Sequence, residues 1–116
     1  MLPREVRKYL FDLSQACDLL VQFTRGKTLS DYKTDPLTRS AVERQFEIIG
    51  EALNRLLETD PSLSAHISDS KRIIAFRNRL IHGYASISDE VVWGVLEANL
   101  PKLSDEVQML LKRSAG

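Results

Sequence analysis

Apolar residues recur every three or four positions along nearly the whole chain, a period that builds helices and leaves no room for half-buried strands. Val6, Leu10, Leu13, Cys17, Leu20 and Phe23 put one apolar stripe on a helix over 3–25. Pro3 suits its first turn, and Arg25-Gly26 gives it a stop, because glycine accepts left-handed cap geometry. The polar stretch 26–35 reads as a connection. Asp35-Pro36 then opens a second helix, with an aspartate cap followed by proline at the first helical position. Val42, Ile49, Leu53, Leu56 and Leu57 form its apolar face, and Thr59-Asp60-Pro61 ends it, since a residue before proline is pushed out of the α region.

A polar loop through Ser68 leads to a third helix, capped by Ser68 or Asp69 and running to about His82, where Gly83 breaks it. Ser88 caps a fourth, with Asp89 and Glu90 facing the helix dipole and Ile87 and Val92 at staple spacing across the cap. Pro101 removes an amide and crowds the preceding turn, so the last helix must kink or restart there. Leu103, Val107, Leu110 and Leu111 carry the pattern onward. The expected fold is all-α: a four-helix up-and-down bundle with a kinked last helix, one domain over 1–116. Gly50 interrupts the second helix at a cost of ~1 kcal/mol against alanine, which predicts close approach of another helix, from this chain or a second subunit.

Sixteen basic and sixteen acidic residues argue against a general polyanion-coating protein. The balance is uneven along the chain, however. Lys71, Arg72, Arg77 and Arg79 lie in an interval from Asp69 to Asp89 that holds no acid, either solvated charge at a helix end or a contact for RNA. Arg4, Arg7 and Lys8 read as solvated surface that could extend such a path. Cys17, the one cysteine, can form no internal disulfide and falls on an apolar face, so it reads as core in a reducing, cytoplasmic protein. With no apolar run near the ~20 residues of a membrane span and no signal-peptide pattern, no membrane association is expected. No glycine-rich phosphate loop or thiolate–histidine metal cluster is present, so neither cofactor nor metal is expected. Glu43, Glu47 and Glu51 form an acidic stripe that lacks the Glu-x-x-His of a di-metal site. Trp93 reads as core or subunit interface.

The segment Arg77-Asn78-Arg79-Leu80-Ile81-His82-Gly83-Tyr84 concentrates functional groups at a helix end. Asn78 and His82 are four apart and share a face, so Asn78 can orient the imidazole while Arg77 binds an anion. Metal-free RNA cleavage needs a base for the 2′-hydroxyl, an acid for the leaving oxygen and positive charge on the transition state. Histidine serves as acid or base near neutrality, and arginine holds two phosphate oxygens at once. The same residues also fit a structural role: His82 as a C-terminal cap, Arg77 as the partner of a second-helix glutamate, and Tyr84 as core. One histidine is too few for acid and base together unless a dimer supplies another.

Arg77-x4-His82-x-Tyr84 resembles the signature of HEPN-domain ribonucleases of the HepT toxin type. The resemblance extends to Ala41-Val42-Glu43-Arg44, Ile48-Ile49-Gly50-Glu51-Ala52, Phe76-Arg77-Asn78, Ile87-Ser88-Asp89 and Val91-Val92-Trp93. It implies a HEPN-like bundle that forms a homodimer and cuts RNA, tRNA or mRNA, as half of a toxin–antitoxin pair. Arg77 and His82 would be catalytic and Asn78 would support them, while the basic interval itself offers Lys71, Arg72 and Arg79 as RNA-binding residues. The implied antitoxin is an MntA-like nucleotidyltransferase that silences the enzyme by transferring AMP to Tyr84. A non-catalytic bundle that binds a nucleotide or a nucleotidyltransferase is the alternative.

Overall fold

The computed structural model describes residues 2–83 and 87–115. Six α-helices follow in order: α1 (Arg4–Thr24), α2 (Leu29–Thr34), α3 (Pro36–Thr59), α4 (Ser70–His82), α5 (Asp89–Ala98) and α6 (Leu100–Ala115). A 3-10 turn over Pro61–His66 joins α3 to the approach of α4. The expected all-helical bundle is observed, and no strand occurs among the described residues. The four spans read from periodicity correspond to α1, α3, α4 and the α5–α6 pair.

Two departures have local causes. The stretch 26–35 is not a plain connection but contains α2, nucleated by a capping box in which Thr28 and Asp31 satisfy each other's backbone amides. The short helix is held by Tyr32, which is fully buried and packs on Trp93 with ring centroids 5.5 Å apart. Trp93 is thereby assigned to the core. The second departure is at the last helix, which breaks at Asn99 and restarts at Leu100, with Pro101 in the new first turn. Proline's missing amide costs nothing there.

Caps fix the remaining boundaries. Asp35 accepts from the Leu37 amide, and Ser88 from that of Val91. Gly83 ends α4 in the left-handed conformation at φ 60°. Asp69 precedes α4, but its carboxylate turns to α6, accepting from Asn99 Nδ2 at 2.8 Å and pairing with Lys102. The Asn99 bond, then Lys102, holds the Asp69 carboxyl below the usual carboxylate range. Ser68 donates both its amide and its hydroxyl to Glu106 of α6. The start of α4 is therefore tied to α6, and its other end projects toward the site.

The core is the apolar stripe of each helix turned inward. Val6, Leu10, Leu13, Cys17 and Leu20 of α1 meet Val42, Ile49, Leu53 and Leu56 of α3, while Val107 closes one side from α6. Phe46 of α3 and Phe76 of α4 meet edge to face at 5.2 Å. No helix among the described residues is long and apolar enough to cross a membrane.

Cys17 lies fully inside this core, and burial, with a smaller push from Asp18, raises its thiol to about 12. The unfolded chain ionises that thiol near the ordinary value of 9 and the folded chain does not. The contribution of Cys17 to stability is therefore whole below pH 9 and is lost as pH rises through about 12. A thiol-specific reagent at pH 8 should leave the folded protein unmodified and label it once in denaturant. Rapid labelling of the folded protein would contradict this packing.

Candidate active site

The site is built where α4 crosses α3. At that crossing Gly50 of α3 lies directly under Arg77: a β-carbon at position 50 would fall 2.2 Å from Arg77 Cβ and 2.3 Å from its Cγ. The helix that approaches Gly50 is thus α4 of the same chain, and the glycine lets the Arg77 stem lie flat against α3. Neither β-carbon can swing aside, so the helices would have to part for Gly50→Ala. Overpacking of this kind costs about 1–3 kcal/mol, only partly offset by alanine's ~1 kcal/mol advantage in a helix. The variant should unfold at lower urea concentration than wild type. An unchanged or raised midpoint would contradict the close approach.

Flattened on Gly50, the Arg77 side chain is only 20% exposed. Its Nη2 donates to Glu51 Oε2 at 2.5 Å, and its Nη1 to Asn78 Oδ1 at 2.9 Å. Its Nε is buried without a partner. Arginine has five N–H donors, so the remaining Nη hydrogens are the ones a ligand can meet. Arg77 is therefore not the unpaired cation of the simplest sequence reading, because a second-helix glutamate holds it. The contact observed for Asn78 is with Arg77, its Oδ1 accepting from the guanidinium. Glu51 bridges further, its Oε1 accepting from Arg55 Nε at 2.7 Å.

Glu51, Arg55 and Arg77 line a cleft of about 350 Å³ between α1, α3 and α4, whereas Asn78 and His82 do not line it. Tyr9 of α1, Arg44, Glu51 and Arg55 of α3, and Arg77 and Ile81 of α4 face it. His82 is exposed at the last position of α4. On an ideal helix it lies about 7.5 Å beyond Arg77 along the axis and roughly 140° around it. The two catalytic candidates therefore flank the end of the helix instead of stacking on one face.

The other expected residues separate. Arg79 is exposed on the same last turn of α4. Lys71 and Arg72 line a different depression, beside Ser68 and Asp69 at the start of α4, some 15 Å from His82 by helix rise. Arg4, Arg7 and Lys8 are exposed, and Lys8 reaches the cleft. Tyr84 lies outside the described residues. Two glutamates of the acidic stripe are held by arginines: Glu47 pairs with Arg44, and Glu51 with Arg55 and Arg77. No cluster able to hold a metal ion occurs among the described residues.

Sequence reasoning did not single out Arg55 or Tyr9. A signal for Arg55 was available, because Glu51 and Arg55 are four apart with the acid first, the favoured order for a helical pair.

Comparison with known proteins gives a consistent result. The family described as Ribonuclease HepT-like matches residues 13–110. A protein of Thermococcus cleftensis named "Probable ribonuclease HepT" is 31% identical over 111 residues, which covers 96% of this chain and all of that protein. A Methanocaldococcus jannaschii protein named as a candidate RNase is 29% identical over 110 residues, 95% of this chain and all of the relative. Another from Caldanaerobacter subterraneus subsp. tengcongensis is 29% identical over 107 residues, 92% of this chain and 95% of its own length. No solved structure gives a significant match.

Proposed function

The chain belongs to the HepT-like ribonuclease family, and from that premise we propose that it is a toxin endoribonuclease cutting tRNA or mRNA without a metal ion, at a site formed by Arg77 and His82. The observation that carries this reading is the presentation of Arg77 at the cleft, clamped by Gly50, Glu51 and Asn78, five residues before an exposed His82 at the end of α4.

In the proposed reaction the 2′-oxygen of a ribose attacks the adjacent phosphorus, and the bond to the 5′-oxygen of the next nucleotide breaks. A base takes the 2′-hydroxyl proton and an acid supplies a proton to the departing oxygen, leaving a 2′,3′-cyclic phosphate and a 5′-hydroxyl. Arg77 carries the charge that develops on the non-bridging oxygens, which is where fixed positive charge contributes most. His82 performs proton transfer. His82, the one imidazole of the segment 77–84, cannot hold both proton roles at once, so the site is proposed to be shared across a homodimer, two His82 side chains dividing them. Asn78 supports the site by fixing Arg77. Arg79, with Lys71 and Arg72 further along α4, would carry the RNA backbone.

The regulatory partner in this reading is an MntA-like nucleotidyltransferase that transfers AMP to Tyr84. That group would add bulk and negative charge two residues after His82, opposing an incoming phosphate by sterics and repulsion.

The Arg77–Glu51 pair favours one second reading, in which Arg77 clamps α3 to α4 in a non-catalytic module that binds a nucleotide or a nucleotidyltransferase. The experiment that separates the two is incubation of purified tRNA and mRNA with the protein in EDTA, after mass analysis shows no AMP on Tyr84. Cutting that leaves 2′,3′-cyclic phosphate ends is the expected result. Intact RNA from unmodified protein would give the lead to the binding module.

A further inference from the structure

Glu51 accepts from two arginines at once, one on each carboxylate oxygen: Arg55 Nε on Oε1 and Arg77 Nη2 on Oε2. Two guanidinium groups are thereby drawn to one wall of the cleft although α3 and α4 supply one each. They differ in freedom. The Arg77 side chain is 20% exposed and fixed along its stem, whereas that of Arg55 is 57% exposed. Glu51 acts on Arg55 through Nε alone in the contact observed, and Arg55 lines the cleft together with Tyr9 and Arg44.

A surface ion pair is worth ~1 kcal/mol or less, so folding alone gives little reason for a carboxylate to gather two arginines here. Its physical effect is on position. It cancels part of the repulsion between two cations at close range and holds both arginines in the lining of one cleft. Arginine's planar fork suits phosphate oxygens.

We propose that Arg55 is a second phosphate-holding residue of this site, binding the RNA backbone at the phosphate next to the one held by Arg77, with Glu51 as the positioning residue that sets the two arginines at that spacing. The inference rests on the ribonuclease reading and adds a binding residue to it. Arg55 holds substrate and takes no part in proton transfer, so its loss should act on KM more than on kcat.

The test uses the full-length protein with Arg55→Ala and Arg55→Lys. Cleavage of a single-stranded RNA is followed against RNA concentration, and binding of the same RNA is followed in a His82→Ala background against salt concentration. Arg55→Ala should raise KM about tenfold with kcat within about twofold of wild type, and flatten the slope of log affinity against log salt by about one phosphate contact. Arg55→Lys should restore the salt slope and part of KM, because it keeps the charge without the fork. A purely structural pair with Glu51 would move the melting temperature and not the salt slope. Wild-type protein that cuts RNA while Arg55→Ala keeps the same KM and slope overturns this inference alone. Wild-type protein that leaves RNA whole overturns the ribonuclease reading and this inference with it.

Discussion

Arg77→Ala is expected to lower kcat/KM for RNA cleavage by about 10²–10³-fold, the loss typical when one fixed charge-stabilising donor is removed from an acyl- or phosphoryl-transfer site. The protein should remain folded. Alanine keeps the β-carbon that already lies over Gly50, and Glu51 retains Arg55 as a partner, so no carboxylate is stranded. The pair that is lost is partly exposed, with Glu51 at 41%, and is worth ~1 kcal/mol or less to folding. The buried, unpartnered Nε is removed by the same change, which offsets part of that loss. Activity and stability should therefore part company: a large kinetic defect beside a small shift in the urea midpoint. Arg77→Lys should fall between, since an ammonium keeps the charge but cannot engage Glu51, Asn78 and a phosphate together in a planar fork. A variant that loses several kcal/mol of stability while its residual folded fraction cuts at the wild-type rate would instead make Arg77 a clamp between α3 and α4.

Much of this fold is legible before any coordinates. The long helices announce themselves because each carries its own period and its own punctuation: Asp35-Pro36 and Ser88 at starts, Gly26 and Gly83 at stops. Those signals are local, so local reasoning finds them. The helix α2 is different. Its capping box is local, but a six-residue helix cannot stand alone, and what holds it is Tyr32 against Trp93, sixty-one positions away. In a polar stretch a single aromatic residue gives no period. The break at Asn99 was half visible, since Pro101 demands a kink or restart and only the Asn99–Asp69 bond shows why the turn stays put.

The candidate site divides in the same way. The segment 77–84 stands out by composition, and Gly50 advertises a close approach without saying by what. Three glutamates at successive helical turns were equal candidates for Arg77 by sequence. Packing selects Glu51, because it follows the glycine over which Arg77 lies. Sequence also gathers Lys71, Arg72 and Arg79 into one basic interval, whereas a helix thirteen residues long spreads them over its two ends. Linear density of charge is a poor guide to a three-dimensional patch when the residues lie along a rod.

His82 is assigned to the cutting of RNA, and a second large effect follows from that role. His82→Ala should reduce single-turnover cleavage by about 10²–10⁴-fold, the range a positioned proton-transfer group contributes. The side chain is exposed at the end of α4, so its removal should leave the circular dichroism spectrum and urea midpoint near those of wild type, and RNA binding largely intact. The deciding measurement is one side-by-side assay. Wild type and His82→Ala, each shown by mass to carry no AMP, are given the same labelled RNA in EDTA under single-turnover conditions. Cleavage by the wild type that all but disappears in an equally folded variant is the predicted result; equal rates from the two proteins would contradict the assignment of His82 to the reaction.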